Sequence, residues 1–470
     1  MTTGIDPRGA DASQPALHTG ARSTRPARRL ERYIRAFPPA AIGGPVFGRR
    51  NLLVASALFL TALLSLWALQ LAFRIHPLGV SDSPYWVDQA ESLLHGRWDL
   101  DLPASLADIV VLGGKHYIVY PPFPALLFLP FVALFGLHTS DILLTALLSA
   151  ANLSLLFLLF EQARASGFSR RSWLENICFA QLLYYGSINL WLSLGGKVWF
   201  TAQIVCLSCT LLALLLALRR HFAWGALLLG CAFFCRNTVV WGAPLLFYLA
   251  WQDGGREPLV ERFVASVRAR TPQWRLVPWH RLLPPALVIA ACIALYLLHN
   301  ALLFGSPLES GYTVIVQQRY PQITRGAFSL SYVPVNLVAM FFSFPHIMFS
   351  GPFDRHPAID MLDGNGVAIS VFVTTPLFLL LFGRNRRFSP LRALLWLTLA
   401  LIVAQLLLYD ATGWYQFGYR YLFDGYAYAF LLLVVSDLRL DWRAALLGAI
   451  SIVVNLLGAY QFWTGGIFHL

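Results

Sequence analysis

Long apolar runs separated by short polar punctuation dominate the chain. They fall near residues 51 to 73, 141 to 160, 173 to 194 and 198 to 218, in a paired stretch from 223 to 251, and near 283 to 303, 366 to 383, 392 to 409, 421 to 437 and 444 to 463. Runs of roughly 20 apolar residues are long enough for a helix to cross a hydrocarbon core of about 30 Å. Lipid cannot satisfy backbone polar groups, so helices or closed barrels are the choices. The runs are continuous and Leu-rich rather than alternating, which predicts helices. The expected fold is an all-α polytopic membrane protein with about eleven transmembrane helices.

Composition agrees with that pattern. Hydrophobic residues make up 57% and charged residues 12% of the 470, against about 25% charged in a soluble domain. The first fifty residues differ from the rest: Pro, Gly, Ser and Arg, without sustained periodicity or a signal-peptide cleavage site. Residues 1–50 therefore read as a disordered, basic cytoplasmic tail and 51–470 as one transmembrane domain. In the eleven-span arrangement, 26 of the 33 arginines lie in the tail or in cytoplasmic loops, six lie outside, and Arg236 falls between the paired helices. This asymmetry orients the chain with its N-terminus inside. The net charge of +12 is thus a topology signal, and no nucleic-acid partner is implied.

The only two lysines break the rule. Each closes an LGGK tetrapeptide, Leu112 to Lys115 and Leu194 to Lys197, and each falls on the outer face. Two ammonium groups beside Gly-Gly turns suit an anion at the outer membrane surface, although chance placement accounts for them equally well. The first outer loop, 74–138, carries Asp82, Asp88 and Glu91 directly after the first span. Asp82 or Ser83 suits an N-cap, Pro84 a first helical position and Gly96 a stop. Trp86, Ala90, Leu93 and Leu94 give the intervening helix one apolar face for the membrane surface, with Asp88 and Glu91 on its polar face. Asp82 is then either a cap alone or a functional carboxylate. Gly113 to Gly136 is apolar but interrupted by Pro121, Pro122, Pro124 and Pro130, and reads as a second interfacial or re-entrant helix. Cys206 with Cys209, and Cys231 with Cys235, sit at helical spacing in apolar runs and read as packing residues.

This order of elements resembles the C-type (GT-C) glycosyltransferases, and among them the polyprenyl-phosphate-sugar-dependent protein mannosyltransferases and lipid A aminoarabinose transferases. The resemblance runs through Asp82 and Tyr85, Leu93 to Gly96, Tyr120 to Pro122, the paired helices around Arg236, and Gly413 to Asp424 with its Gly-Tyr-Arg-Tyr. It implies a polyprenyl-phosphate sugar as donor, a glycan, lipid or protein as acceptor, and an inverting displacement on the outer face of the plasma (inner) membrane. Asp82 is then the catalytic base, with Tyr85, Asp88, Glu91, His116 and Tyr117 on the acceptor side. Lys115, Lys197, Arg236 and Arg420 would bind the donor phosphate. Asp424 stands at i+4 from Arg420, so those two can instead pair. The chain departs from the family where Ser83 follows Asp82 in place of Glu, and where Gly195-Gly196-Lys197 replaces an acidic loop. A divalent metal is therefore left without a ligand set. The long outer segment 304–365 adds Tyr312, His346, Asp354 and His356, either as acceptor contacts or as loop surface. A flippase or transporter of lipid-linked sugars is the alternative class.

If the arginine asymmetry sets topology, reporter fusions after Gly305 and after Gly413 will read outside and a fusion after Arg387 inside. The reverse pattern would put Asp82 on the cytoplasmic face.

Overall fold

A computed structural model describes residues 46–101, 108–252, 278–319, 325–348, 358–362, 369–383, 389–413, 416–436, 438, 440–465 and 468–469. The expected tail, with Asp354 and His356, lies outside the described residues, except that residues expected at the tail's end, Arg49 and Arg50, already begin the first helix.

Among the described residues, six helices are long and apolar enough to cross a membrane: α1 (Arg49–Ala72), α4 (Asp141–Ala165), α7 (Val198–Leu218), α10 (Trp279–Phe304), α14 (Pro390–Leu407) and α16 (Trp442–Thr464). They divide by environment. The apolar window of α7 is 89% buried inside the protein, whereas that of α10 is 11% buried. A helix that is apolar on all sides and yet left uncovered needs hydrocarbon as its solvent. This is a membrane protein with a packed centre around α4 and α7 and an apolar outer surface.

The other five expected spans are not single long helices. Residues 173–194 form α5 (Trp173–Tyr185) and the short α6 (Asn189–Leu192). The pair from 223 to 251 forms α8 (Phe222–Phe233), a 3-10 turn at Asn237–Gly242 and α9 (Ala243–Gln252). Residues 366–383 supply α13 (Val371–Thr374) and a 3-10 segment, Pro376–Phe382. Residues 421–437 supply another, Arg420–Gly425, running into α15 (Tyr426–Val435). Apolar content hid these breaks. Pro376 lacks the N–H that would continue a helix, and at Gly186 a Cβ would stand 2.4 Å from the Leu182 carbonyl and 2.8 Å from Ser451.

A broken helix frees carbonyl groups that lipid cannot satisfy. Here side chains of neighbouring elements reach them. Gln203 donates to the Arg420 carbonyl at 2.6 Å, Asn455 to that of Thr374 at 2.5 Å, Tyr428 to that of Val239 at 3.3 Å and Trp463 to that of Trp191 at 3.2 Å.

Residues 74–138, the expected first outer loop, have their own apolar cluster, which includes Trp86, Ile109, Ile118, Tyr120 and Phe128. Its first helix, α2 (Tyr85–Leu94), starts at Tyr85 with Pro84 as N-cap and no side-chain cap. Neither Asp82 nor Ser83 caps it, a correction to the expectation. The stop is as expected: Gly96 has φ 69°, which suits a residue without Cβ. The expected second interfacial helix is shorter, α3 (Phe123–Phe135), because Gly113 and Gly114 fold the residues before it into a hairpin. Strand β1 (Ile109–Leu112) pairs with β2 (Lys115–Ile118), and both turn glycines have positive φ, 56° and 77°, as a two-residue primed turn requires. Elsewhere α11 (Tyr312–Arg319) and α12 (Val333–Phe341) lie in the long outer segment. Strands β3 (His346–Met348), β4 (Ala358–Asp360) and β5 (Phe468–His469) pair into a small sheet.

The second LGGK is not a hairpin turn. A Cβ on Gly195 would stand 2.1 Å from the Trp463 ring, while Gly48 has nothing within 4 Å. Gly195→Ala will therefore lower the melting temperature in detergent, by an overpacking cost of about 1–3 kcal/mol. Gly48→Ala is the neutral control.

Candidate functional site

The neck of the outer loop is latched to two helix starts. Ser81 donates from its backbone N and its Oγ to the two oxygens of Asp141, at 2.9 and 2.6 Å, at the first residue of α4. Ser140 caps that helix and also donates to the Gly79 carbonyl at 2.6 Å. At the start of α7, the Val198 N–H donates to the Ser83 carbonyl at 3.1 Å, and the Trp86 indole donates to the Val198 carbonyl at 2.8 Å. Between these latches Lys197 pairs with Asp82 at 2.8 Å.

Beside the neck, residues from six segments meet in a polar aromatic recess. Asp108 Oδ2 accepts from the Tyr120 hydroxyl at 2.6 Å and from the Trp199 indole at 2.7 Å. Ring contacts continue from Tyr120 to Tyr312, from Tyr312 to Tyr409 and from Tyr409 to Tyr421, at 6.2, 6.3 and 5.7 Å between centroids. The Cζ atoms of Arg236 and Arg420 lie 5.3 and 5.0 Å from the Tyr421 ring centroid, so two guanidinium groups from distant segments share one aromatic ring. Burial pushes the Tyr120 and Tyr312 phenols above their ordinary value. Tyr312, Tyr409 and Tyr421 keep part of their surface open.

The arginines differ in their partners. Arg236 pairs with the fully buried Asp424 at 3.1 Å, and Thr238 donates to the same carboxylate at 2.5 Å. Arg420 is 8% exposed and donates to Gln416 Oε1 at 3.1 Å. Among the described residues it has no carboxylate partner. The sequence alternative, an Arg420–Asp424 pair, is thus not formed. In a 3-10 helix each residue turns about 120°, so i+4 lies a third of a turn away, whereas in an α-helix it lies on the same face.

Of the other expected site residues, Asp82 is 67% exposed in its ion pair. Lys115 lies on the hairpin rim and pairs with Asp99 at 3.1 Å, away from the arginines' ring. His116 and Tyr117 are half-buried on β2. Tyr85 is buried inside the loop cluster. Glu91 lies 3.6 Å from His95 in an i,i+4 pair. Tyr312, weighed against loop surface, stands in the recess; His346 is on β3, opposite Asp360. Asp108, Trp199 and Tyr409 were missed by sequence reading. A faint signal existed in an acid set directly before the apolar strand IVVL.

Cys206, Cys209 and Cys235 are buried in one apolar cluster with Cys231 packed against it, as packing residues. Among the described residues no three His, Cys, Asp or Glu side chains converge as a metal site would require. A groove of about 440 Å³ lies between α9 and α10, lined by residues including Phe247, Trp251, Trp279 and Leu283. It suits hydrocarbon rather than an anion. Compared with protein-family models, curated proteins and solved structures, the chain matches none.

Burial raises the Asp88 carboxyl from 3.8 to about 6. The folded state then holds a proton that the unfolded chain has already released, so this group lowers stability as pH rises from about 4 to 6. Asp88→Asn will raise the melting temperature at pH 7.5, and the gain will shrink as pH falls through that window.

Proposed function

We propose that the chain is a membrane glycosyltransferase that moves a sugar from polyprenyl phosphate to an acceptor hydroxyl on the outer face of the membrane. One observation carries the reading: Arg236 and Arg420 share the Tyr421 ring, and Arg420 has no acidic partner among the described residues. A buried cation without a countercharge is costly and marks a binding function. Asp424 balances one of the two guanidinium groups, which leaves a net positive charge for a phosphate.

The chemistry is a displacement at the anomeric carbon. The acceptor oxygen forms its bond as the bond to the phosphate oxygen breaks, and the electron pair leaves on the phosphate. Arg420 and Arg236 steady that developing charge in a site walled from water by tyrosines. The acceptor proton passes to a carboxylate at the recess rim. Lys197, held against Asp82, belongs to the neck on this reading, and Lys115 to the rim. The site opens to the outer face of the plasma (inner) membrane, with the N-terminus in the cytoplasm, as the arginine distribution favours. No metal is assigned a role.

The broken helices around Arg236 and Arg420 also suit a carrier of lipid-linked anions, since transporters bind substrates at such interruptions. The two readings part in one assay. Purified protein given a tritiated polyprenyl-phosphate sugar and a membrane extract will transfer label; a carrier will only translocate the intact donor across proteoliposomes.

Arg420→Lys keeps the charge and loses the planar fork. It will raise KM for the donor and lower kcat, together about tenfold in kcat/KM, the size of one lost charged hydrogen bond, with the melting temperature little changed. Unchanged donor KM in both Arg420→Lys and Arg236→Lys would remove the arginines from phosphate binding.

A further inference from the structure

Two charged groups of the recess lack countercharges, and a single side chain touches both. Trp199 donates its indole N–H to Asp108 Oδ2 at 2.7 Å, and the Arg420 Cζ lies 5.9 Å from the same ring system. Asp108 has no cationic partner and Arg420 no anionic one among the described residues. A glycosyl phosphate poised for transfer to a hydroxyl has the matching polarity, with anionic phosphate at one end and a proton to be lost at the other.

We infer that Asp108, rather than Asp82, is the base that takes the acceptor proton; the inference rests on the glycosyl-transfer reading. The two carboxylates differ in how their oxygens are used. On Asp108 both donors, Tyr120 and Trp199, bind Oδ2, and among the described residues none donates to Oδ1. One oxygen is anchored and the other is free, which is the arrangement a general base requires. On Asp82 both oxygens are engaged: Oδ2 by Lys197 at 2.8 Å and Oδ1 by Ser83 Oγ at 3.2 Å, with the side chain largely in solvent. Water there competes for the proton, whereas Asp108 stands beside the tyrosine walls.

Backbone conformation points the same way. Asp108 has φ 54°, shared among described non-glycine residues only with Arg74 and Arg220. Asp tolerates this region better than most residues, but it is uncommon and held by surrounding contacts. Here the contacts are the hydrogen bonds from Tyr120 and Trp199 and the hairpin that begins at Ile109. Proton, bond and charge then balance. The acceptor proton goes to Asp108 Oδ1, the acceptor oxygen joins the anomeric carbon, and the phosphate departs toward Arg420.

The test compares wild type, Asp108→Asn, Asp108→Gly and Asp82→Asn with tritiated farnesyl phosphate mannose, glucose and arabinose and a membrane extract as acceptor. Asn and Gly both accept positive φ, so neither strains the backbone. Both Asp108 variants will lose transfer by about a hundredfold or more, with donor binding kept. Formate will restore part of the rate to Asp108→Gly, a rescue that a structural role would not give. Asp82→Asn will stay within about threefold of wild type, the usual scatter of context effects. Full transfer by Asp108→Asn, or loss confined to Asp82→Asn, overturns the base assignment and leaves glycosyl transfer standing. Wild type that transfers none of the three sugars overturns the transfer reading itself, and the base assignment with it.

Discussion

A carbonyl released from a helix inside hydrocarbon has no water to turn to, and the architecture follows from meeting that demand. Four short helical segments interrupt what composition presents as continuous apolar spans, and each interruption is met by a donor from another element. Gln203, Asn455, Tyr428 and Trp463 all point at main-chain oxygens of broken segments. These donors stand on α7, α15 and α16. Neighbouring elements thus license the broken ones, and exchanging any of these side chains for an apolar one strands an acceptor in a dry interior.

The interruptions are also where charge can enter. Arg236 precedes one 3-10 turn and Arg420 begins another, so both guanidinium groups emerge where the backbone has left the helical cylinder. A regular helix would have spaced them by its own pitch. Two breaks let segments 184 residues apart bring their cations to one tyrosine. Polar side chains that mend the backbone and cations that serve a ligand therefore share one location, and the mending is what makes the location rigid.

Part of the outline was legible in the chain itself. The six long helices follow from run length, and the end of α2 from Gly96. What escaped reading depended on partners far away in sequence. Asp82 pairs with a lysine 115 residues on instead of capping the next helix. Asp108 is met by Trp199, 91 residues on. The Arg420–Asp424 spacing misled because i+4 implies proximity only in an α-helix, and that stretch is 3-10. The two LGGK tetrapeptides show the same limit: one makes a hairpin because both glycines take positive φ, the other makes room for Trp463. Identical letters answer to different neighbours.

The latches at the neck of the outer loop set a timetable for biogenesis. Ser81 finds its partner 60 residues later and Asp82 its partner 115 residues later. At the pace of synthesis, that second interval lasts on the order of ten seconds. Throughout it, Trp86 and the apolar side of α2 lack the helix start they will close against. An apolar helix face without its partner is sheltered by a membrane surface, and α7 takes over that shelter once it is made.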